Sequence, residues 1–212
     1  MGNTVDWGRT HYQEAWSRQM QLVAEVRERT HPETLVFTEH SSVYTLGARK
    51  GAIQHLLLNE GQLAEQGIDL IQSNRGGDIT YHGPGQLVGY PILRLGDRKR
   101  DLHAYLRGLE SVLIKTLASF GIESDRRKGM TGIWVDNRKI AAIGVAVKAW
   151  TTYHGFALNV DLDLSPFKNI IPCGIVDGSV TSMQQECPPA PLLGMLKNRL
   201  SLEFWNYFGE VS

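Results

Sequence analysis

Cys173 stands between Pro172 and Gly174, Lys139 opens the run Ile140 to Val147, and His82 and His154 lie beside glycines and aromatic residues. These are side chains suited to nucleophilic catalysis. A thiol ordinarily titrates near pH 8.5, so a nucleophilic cysteine needs a base or a cation beside it to carry thiolate at neutral pH. Lys139 is the first candidate for that task, because the run it opens is apolar on both strand faces and draws its ammonium out of bulk water. His82 and His154 are alternative bases. On these residues alone the plainer reading has more weight: a small buried thiol among Ile170, Ile171, Ile175 and Val176, a lysine at a hairpin end, and two hydrogen-bonded structural histidines.

The stretch "RGGDITYHGPGQ", Arg75 to Gln86, sets four glycines among Arg75, Asp78, Tyr81 and His82. So much backbone freedom beside polar side chains suits a loop that faces a ligand, although an irregular hairpin would use glycines too. Its spacing matches neither the GxxxxGK[ST] phosphate loop nor the GxGxxG dinucleotide fingerprint, so nucleotide binding is not indicated. There is no HExxH, no CxxC and no Cys/His cluster, so no metal site is expected.

The 22 basic and 22 acidic residues cancel, which excludes a broad basic field for nucleic acid or an anionic membrane. Arg126, Arg127 and Lys128 remain as a local basic patch. No apolar run approaches the roughly 18 residues that span a bilayer, and no secretion signal is evident, so a cytoplasmic protein is expected. Its two cysteines, Cys173 and Cys187, would then be free thiols.

The elements that must position these residues follow from periodicity. Tyr12, Trp16, Met20, Val23 and Val26 recur at helical spacing, with a capping box expected from Thr10 and Gln13. Asn59 to Gln66 predicts a helix stopped by Gly67, and Leu102 to Phe120 carries the strongest apolar stripe, closed by Gly121. A last helix is expected from about Pro191 to Phe208. Strands are expected at Leu35 to Thr38, Val43 to Leu46, Ile68 to Ile71 and Gln86 to Leu95, where Pro91 argues for an edge or a bulge. Ile133 to Val135, Lys139 to Val147 and Tyr153 to Val160 predict an antiparallel meander turning at Asp136 and Asn137. The order predicts an α+β fold with a mixed to largely antiparallel sheet flanked by helices, residues 1–212 forming one domain.

Four segments, "RGGDITYHGPGQLVGYPI", "GIWVDNRKIAAIGVAV", "HGFALNVDLDLSPF" and "IIPCGI", resemble in that order the lipoyl(octanoyl) transferase family, and "HSSVYTLGARKG" extends the resemblance more loosely. The resemblance implies the catalytic-domain fold of biotin and lipoate protein ligases. It implies transfer of octanoyl from acyl carrier protein, through a thioester on Cys173 that Lys139 activates, to a lysine of a lipoyl domain. The acceptors implied are lipoyl domains of 2-oxo acid dehydrogenase complexes and the glycine cleavage H protein. The substrate-binding surface implied is Arg75, Gly76, Gly77, Asp78, Ile79, Thr80, Tyr81 and His82, with Ala142, Ile143, Gly144, Gly155, Phe156 and Ala157.

No cofactor is expected, because exchanging one thioester for another and then forming an amide needs no nucleotide, and a monomer is expected to suffice. The small residues Ala142, Gly144, Gly155 and Ala157 would floor an apolar acyl slot, so that a bulky residue at Gly144 shortens the preferred chain. The basic patch would dock the acidic carrier. Three rivals stand beside this reading: an ATP-dependent lipoate-protein ligase on the same fold, a non-catalytic lipoyl-domain binding module, and a cysteine hydrolase using His82 or His154.

Overall fold

The computed structural model describes residues 2–171 and 179–209. In chain order its elements are β1 (Asn3–Thr10), α1 (Tyr12–Arg27), β2 (Thr34–His40), β3 (Val43–Leu46), α2 (Glu60–Gln66), β4 (Asp69–Gln72), β5 (Thr80–His82), β6 (Gln86–Ile92), α3 (Leu102–Ala118), β7 (Asp125–Arg127), β8 (Met130–Val135), β9 (Arg138–Lys148), β10 (Thr151–Asn159), β11 (Ser179–Val180), α4 (Met183–Glu186) and α5 (Leu193–Phe208). A 3-10 turn at Ala52–His55 follows β3, and another at Ser165–Asn169 follows β10.

Among the described residues the larger sheet runs β1-β2-β6-β10-β9-β8-β7, with β11 joined to β9. Pairing is parallel between β1 and β2 and between β11 and β9, and antiparallel elsewhere in this sheet. A smaller sheet, β4-β3-β5, sits beside it. The fold is thus the α+β arrangement with a mixed sheet that the order of elements predicts.

One face of the larger sheet is covered by α3 and α5, whose Leu109, Leu113, Leu200 and Phe204 pack with Leu87, Phe156 and Leu158. The other face carries α1, where Ala15, Val23 and Val26 meet Val88, Tyr90 and Ala157. On that second face the glycine-rich segment lies against β9, the Gly76 N–H donating to the Val145 carbonyl at 2.8 Å. Two layers of helix on one sheet account for the apolar stripes of the sequence. They leave part of the second face to be roofed by a loop.

The helices form where periodicity places them, and α2 has both expected ends: an Asn59–Gln62 capping box and Gly67 at φ +61°. The start of α1 differs. Its N-cap is His11 without a side-chain cap, because the Thr10 hydroxyl is used across the sheet by Thr38 and His40. β1 was not anticipated; its alternating burial is that of a polar strand, which periodicity reads weakly when few residues are apolar.

Pro91 lies not on an edge strand but inside β6, between β2 and β10. No bulge accommodates it either: the Phe156–Gly89 pair and the Arg94–Thr151 bridge keep one register, and the ladder to β10 is simply interrupted beyond Gly89. Register pairing with β10 covers Gln86 to Gly89, and His154 turns to φ +54° and donates its N–H to Gln19 Oε1. The meander is as expected, with the β8–β9 turn at Asp136, whose φ is +52°.

Candidate active site

Lys139 owes its direction to a β-bulge. Along β8 the chain advances one residue from Ile133 to Trp134, while along β9 it advances two from Lys139 to Ala141. Ile140 is the extra residue, and it and Ala141 both enter the core under α3 and α5. Strict alternation would put Lys139 and Ala141 on one face. The bulge instead places Lys139 on the face of Ala142 and Gly144, where all three line one cavity. Its Nζ sits 4.8 Å from the centre of the Trp134 ring. Gly132, at φ +125°, leaves room for the stem: a Cβ there would meet the Ala141 carbonyl oxygen at 2.7 Å and Lys139 Cε at 3.4 Å.

The cavity measures about 440 Å³ and lies between β9, β10 and the glycine-rich segment. That volume suits a small ligand rather than a macromolecule. Arg75, Gly76, Gly77, Asp78, Ile79, Thr80 and His82 line it, as do Ala142, Ile143, Gly144, Gly155, Phe156 and Ala157. Ile143 and Phe156 border it while packing into the opposite core. Tyr81 is not part of the wall; it packs with Tyr44 and Phe167 and donates its hydroxyl to Ser42. Cys173 lies outside the described residues.

The paired small residues are in register, Gly155 with Gly144 and Ala157 with Ala142. All four line the cavity, and at the two glycines backbone also comes close. A Cβ at Gly144 would meet the Gly76 carbonyl oxygen at 2.7 Å, and one at Gly155 would meet the Gly89 carbonyl oxygen at 2.1 Å. The two glycines therefore admit close-packed backbone while they line the cavity. Ala142 and Ala157 remain as the small side chains of the floor.

The polar residues of the glycine-rich segment are used mainly to hold it in place. Arg75 is buried and donates to the Thr45 carbonyl at 2.6 Å and to the Thr45 hydroxyl at 2.9 Å. The buried Asp78 carboxylate accepts from Ile79 N–H at 2.7 Å, His55 Nδ1 at 2.8 Å and Arg49 Nη1 at 3.1 Å. With three donors on it, Asp78 braces the loop. Arg49, to which sequence reading assigned no function, stands on the cavity wall.

Tyr12, His82, Tyr90 and His154 also line the cavity, with His40 packed against Tyr12, His82 and Tyr90. The Tyr12 ring stacks on His82 at 5.9 Å and on His154 at 6.2 Å. Burial is the main cause that holds these imidazoles neutral: it takes His40 down to about 4 and His154 to about 3, and it lowers His82 far below the usual range with His40 and Arg75 adding repulsion. Tyr12 and Tyr90 were missed because helix and strand periodicity assigns them to the core. Only the fold brings them to the loop.

Among the described residues no His, Cys, Asp and Glu group is arranged to hold a metal ion, and no helix is long and apolar enough to cross a membrane. Of the basic patch, Arg126 is committed to the buried Glu110 carboxylate at 2.9 Å and to Ser111 at 2.6 Å, and Arg127 lies over Trp134.

Residues 11–205 match the family described as the lipoyl protein ligase A/B catalytic domain. An octanoyltransferase from Syntrophotalea carbinolica is 49% identical over 199 residues, which covers 94% of this chain and 90% of that one. A crystal structure of lipoate-protein ligase A bound with ATP superposes with a TM-score of 0.75 at 16% identity, covering 99% of this chain and 86% of that one. The apo biotin protein ligase from Aquifex aeolicus does so with a TM-score of 0.55 at 9% identity, covering 99% and 70%. At such identities the two structures show the fold alone, which is the biotin and lipoate ligase type. The chain belongs to the lipoyl protein ligase A/B catalytic-domain family and, within it, is an acyltransferase of the octanoyltransferase group.

Proposed function

We propose that this chain moves octanoyl from acyl carrier protein to the ε-amino group of a lysine on a lipoyl domain, through a thioester on Cys173. The observation that supports it most is the placement of Lys139. The bulge sends its side chain to the cavity, and the strand that follows the Cys173 segment runs beside it, Val180 paired with Lys139 and Thr181 N–H donating to the Lys139 carbonyl at 3.0 Å. Before that segment, the Ile171 N–H donates to the His55 carbonyl at 2.8 Å. Cys173 lies between these two anchors in sequence.

Lys139 accepts the thiol proton and holds the thiolate as an ion pair. The thiolate adds to the carbonyl of the carrier's pantetheine thioester; the tetrahedral oxyanion collapses, the C–S bond to pantetheine breaks, and that thiol departs with a proton. The lysine amine of the lipoyl domain then adds to the Cys173 thioester, loses a proton, and the amide forms as the cysteine leaves. No nucleotide or other cofactor enters. Acceptors are lipoyl domains of 2-oxo acid dehydrogenase complexes and the glycine cleavage H protein, and the enzyme works as a cytoplasmic monomer.

The ligase reading differs in needing ATP. Incubation with octanoyl-acyl carrier protein without ATP, followed by intact-mass measurement before and after adding a lipoyl domain, separates the two. An octanoyl adduct that passes to the domain is expected. No adduct under any trapping condition, or full transfer by Cys173→Ala, overturns the covalent route.

A further inference from the structure

A buried chain of hydrogen bonds joins the glycine-rich segment to the strand of Lys139. Arg75 Nε donates to Thr45 Oγ1 at 3.1 Å, and Thr45 Oγ1 lies 3.3 Å from His82 Nε2. His82 Nδ1 is 2.7 Å from Gln86 Oε1, and Gln86 Nε2 donates to Asn159 Oδ1 at 2.9 Å. Asn159 Nδ2 donates to the Thr181 carbonyl at 2.9 Å, and the Thr181 N–H bonds the Lys139 carbonyl.

Both ends of this chain fix its direction. The Thr181 carbonyl only accepts, so Asn159 turns its amide nitrogen toward it and its oxygen toward Gln86. Gln86 must then present its nitrogen to Asn159, as it also does to the Tyr81 carbonyl at 3.3 Å, which leaves Oε1 for His82. His82 Nδ1 therefore carries the proton. At the other end a guanidinium only donates, so the Thr45 hydroxyl accepts from Arg75 and gives its own proton to His82 Nε2. In the neutral ring, each nitrogen already has its one partner. Neutrality follows from burial, with Tyr12, His40, Arg75 and His154 facing the ring from α1, β2, the glycine-rich segment and β10.

We propose that His82 is a positioning residue for the acyl transfer, the middle link of a directed hydrogen-bond chain from Arg75 through Asn159 that holds the Lys139 strand, and that it moves no proton in the reaction. This rests on the reading of Lys139 as the group that activates the thiol. Aligned bonds in such a chain polarise one another, so cutting any link loosens the whole. The loop that walls the ligand cavity and the lysine that lines it are thereby held in one frame.

The test is the single-turnover rate of octanoyl adduct formation between pH 5.5 and 9 for His82→Asn, Asn159→Ala and the double variant, with thermal melting to show that each is folded. Asparagine keeps a donor toward Gln86 and loses the acceptor for Thr45. Each single variant is expected to slow acylation by about ten- to a hundredfold, since displacement of a catalytic group by about 1 Å costs that much. The double variant is expected within about threefold of the slower single, because the chain is already cut. The acid limb of the pH profile stays where the wild type has it. Multiplicative losses, or an acid limb that disappears in His82→Asn, overturn the proposal.

Should Asn159→Ala fail to fold, Thr45→Val cuts the chain at its other end and enters the same cycle. Lys139→Ala and Cys173→Ser run in parallel: adduct formation at the wild-type rate in either overturns the reading of the site and this proposal with it. If both abolish it and the cycle is multiplicative, only the chain is wrong.

Discussion

A methyl group on Gly144 would stand 2.7 Å from the Gly76 carbonyl oxygen and 3.2 Å from Arg75 Cδ, where ordinary contact begins at 3.4 Å. Gly144→Ala therefore pushes the glycine-rich segment away by about 0.7 Å, stretching the Gly76 N···Val145 O bond from 2.8 Å toward the limit of about 3.5 Å at which a hydrogen bond is lost. Losing that bond costs about 1 kcal/mol, and forcing a methyl into a filled contact about 1–3 kcal/mol more. A destabilisation of about 2–4 kcal/mol follows, divided between overall stability and the seating of the cavity wall. Urea unfolding reads the first part. The second is read by kcat/KM for six-, eight- and ten-carbon acyl carrier thioesters, which should fall together by about ten- to a hundredfold because one wall serves all of them. An unchanged unfolding midpoint refutes the contact argument. Loss confined to the longer chains refutes it differently, by showing that Gly144 faces the acyl path after all.

Acid should weaken the fold through its buried histidines. Their folded values lie below the ordinary 6.5, at about 4 for His40 and about 3 for His154, so from pH 6.5 downward the unfolded chain takes up protons that the native state refuses. Stability is then lost by up to about 1.4 kcal/mol per pH unit for each ring until the folded value is reached, and neither ring contributes a slope above pH 6.5. Urea midpoints at pH 7 and pH 5 check this, and equal midpoints contradict it. Asp78→Asn leaves Arg49 and His55 without their carboxylate and should cost about 1–3 kcal/mol in urea unfolding; a neutral result would mean that the brace is not needed. Arg126→Ala removes one of the two guanidinium partners of the buried Glu110, Arg107 remaining at 2.7 Å, and should lower the melting temperature, whereas Lys128→Glu should act on the KM for the carrier and its salt dependence without touching stability. The reverse pattern would return Arg126 to the docking surface.

The helical parts of the fold were legible because their signal is local: the stripes of α1, α3 and α5 and the left-handed Gly67 depend on neighbours within a turn or two. The site was legible as residue types and not as geometry. Periodicity along Lys139 to Val147 puts Lys139 opposite Ala142, and only the pairing of Ile133 and Trp134 on the adjacent strand, with the side-chain-free Gly132 beside it, inserts the bulge that reverses this. Thr10 reads as a helix cap until β2 arrives to take its hydroxyl. Arg75 and Asp78 read as polar groups of a ligand-facing loop, and the sequence near them does not show that β3 and the Ala52–His55 turn take their bonds.

A common cause runs through these differences. A short polar side chain can satisfy either a local group or one across the sheet, and in a buried place the partner that leaves no polar atom unpaired wins, because an unpaired one costs about 1–3 kcal/mol. Sequence near the residue reports only the first choice. Across "RGGDITYHGPGQ" the second prevails at Arg75, Asp78, His82 and Gln86, each tied to an element distant in the chain. The stretch therefore gives the cavity a wall whose backbone touches the strands at Gly76 and whose polar side chains are tied to distant elements, and the polar groups that suggest a reactive loop are the means by which it stays still.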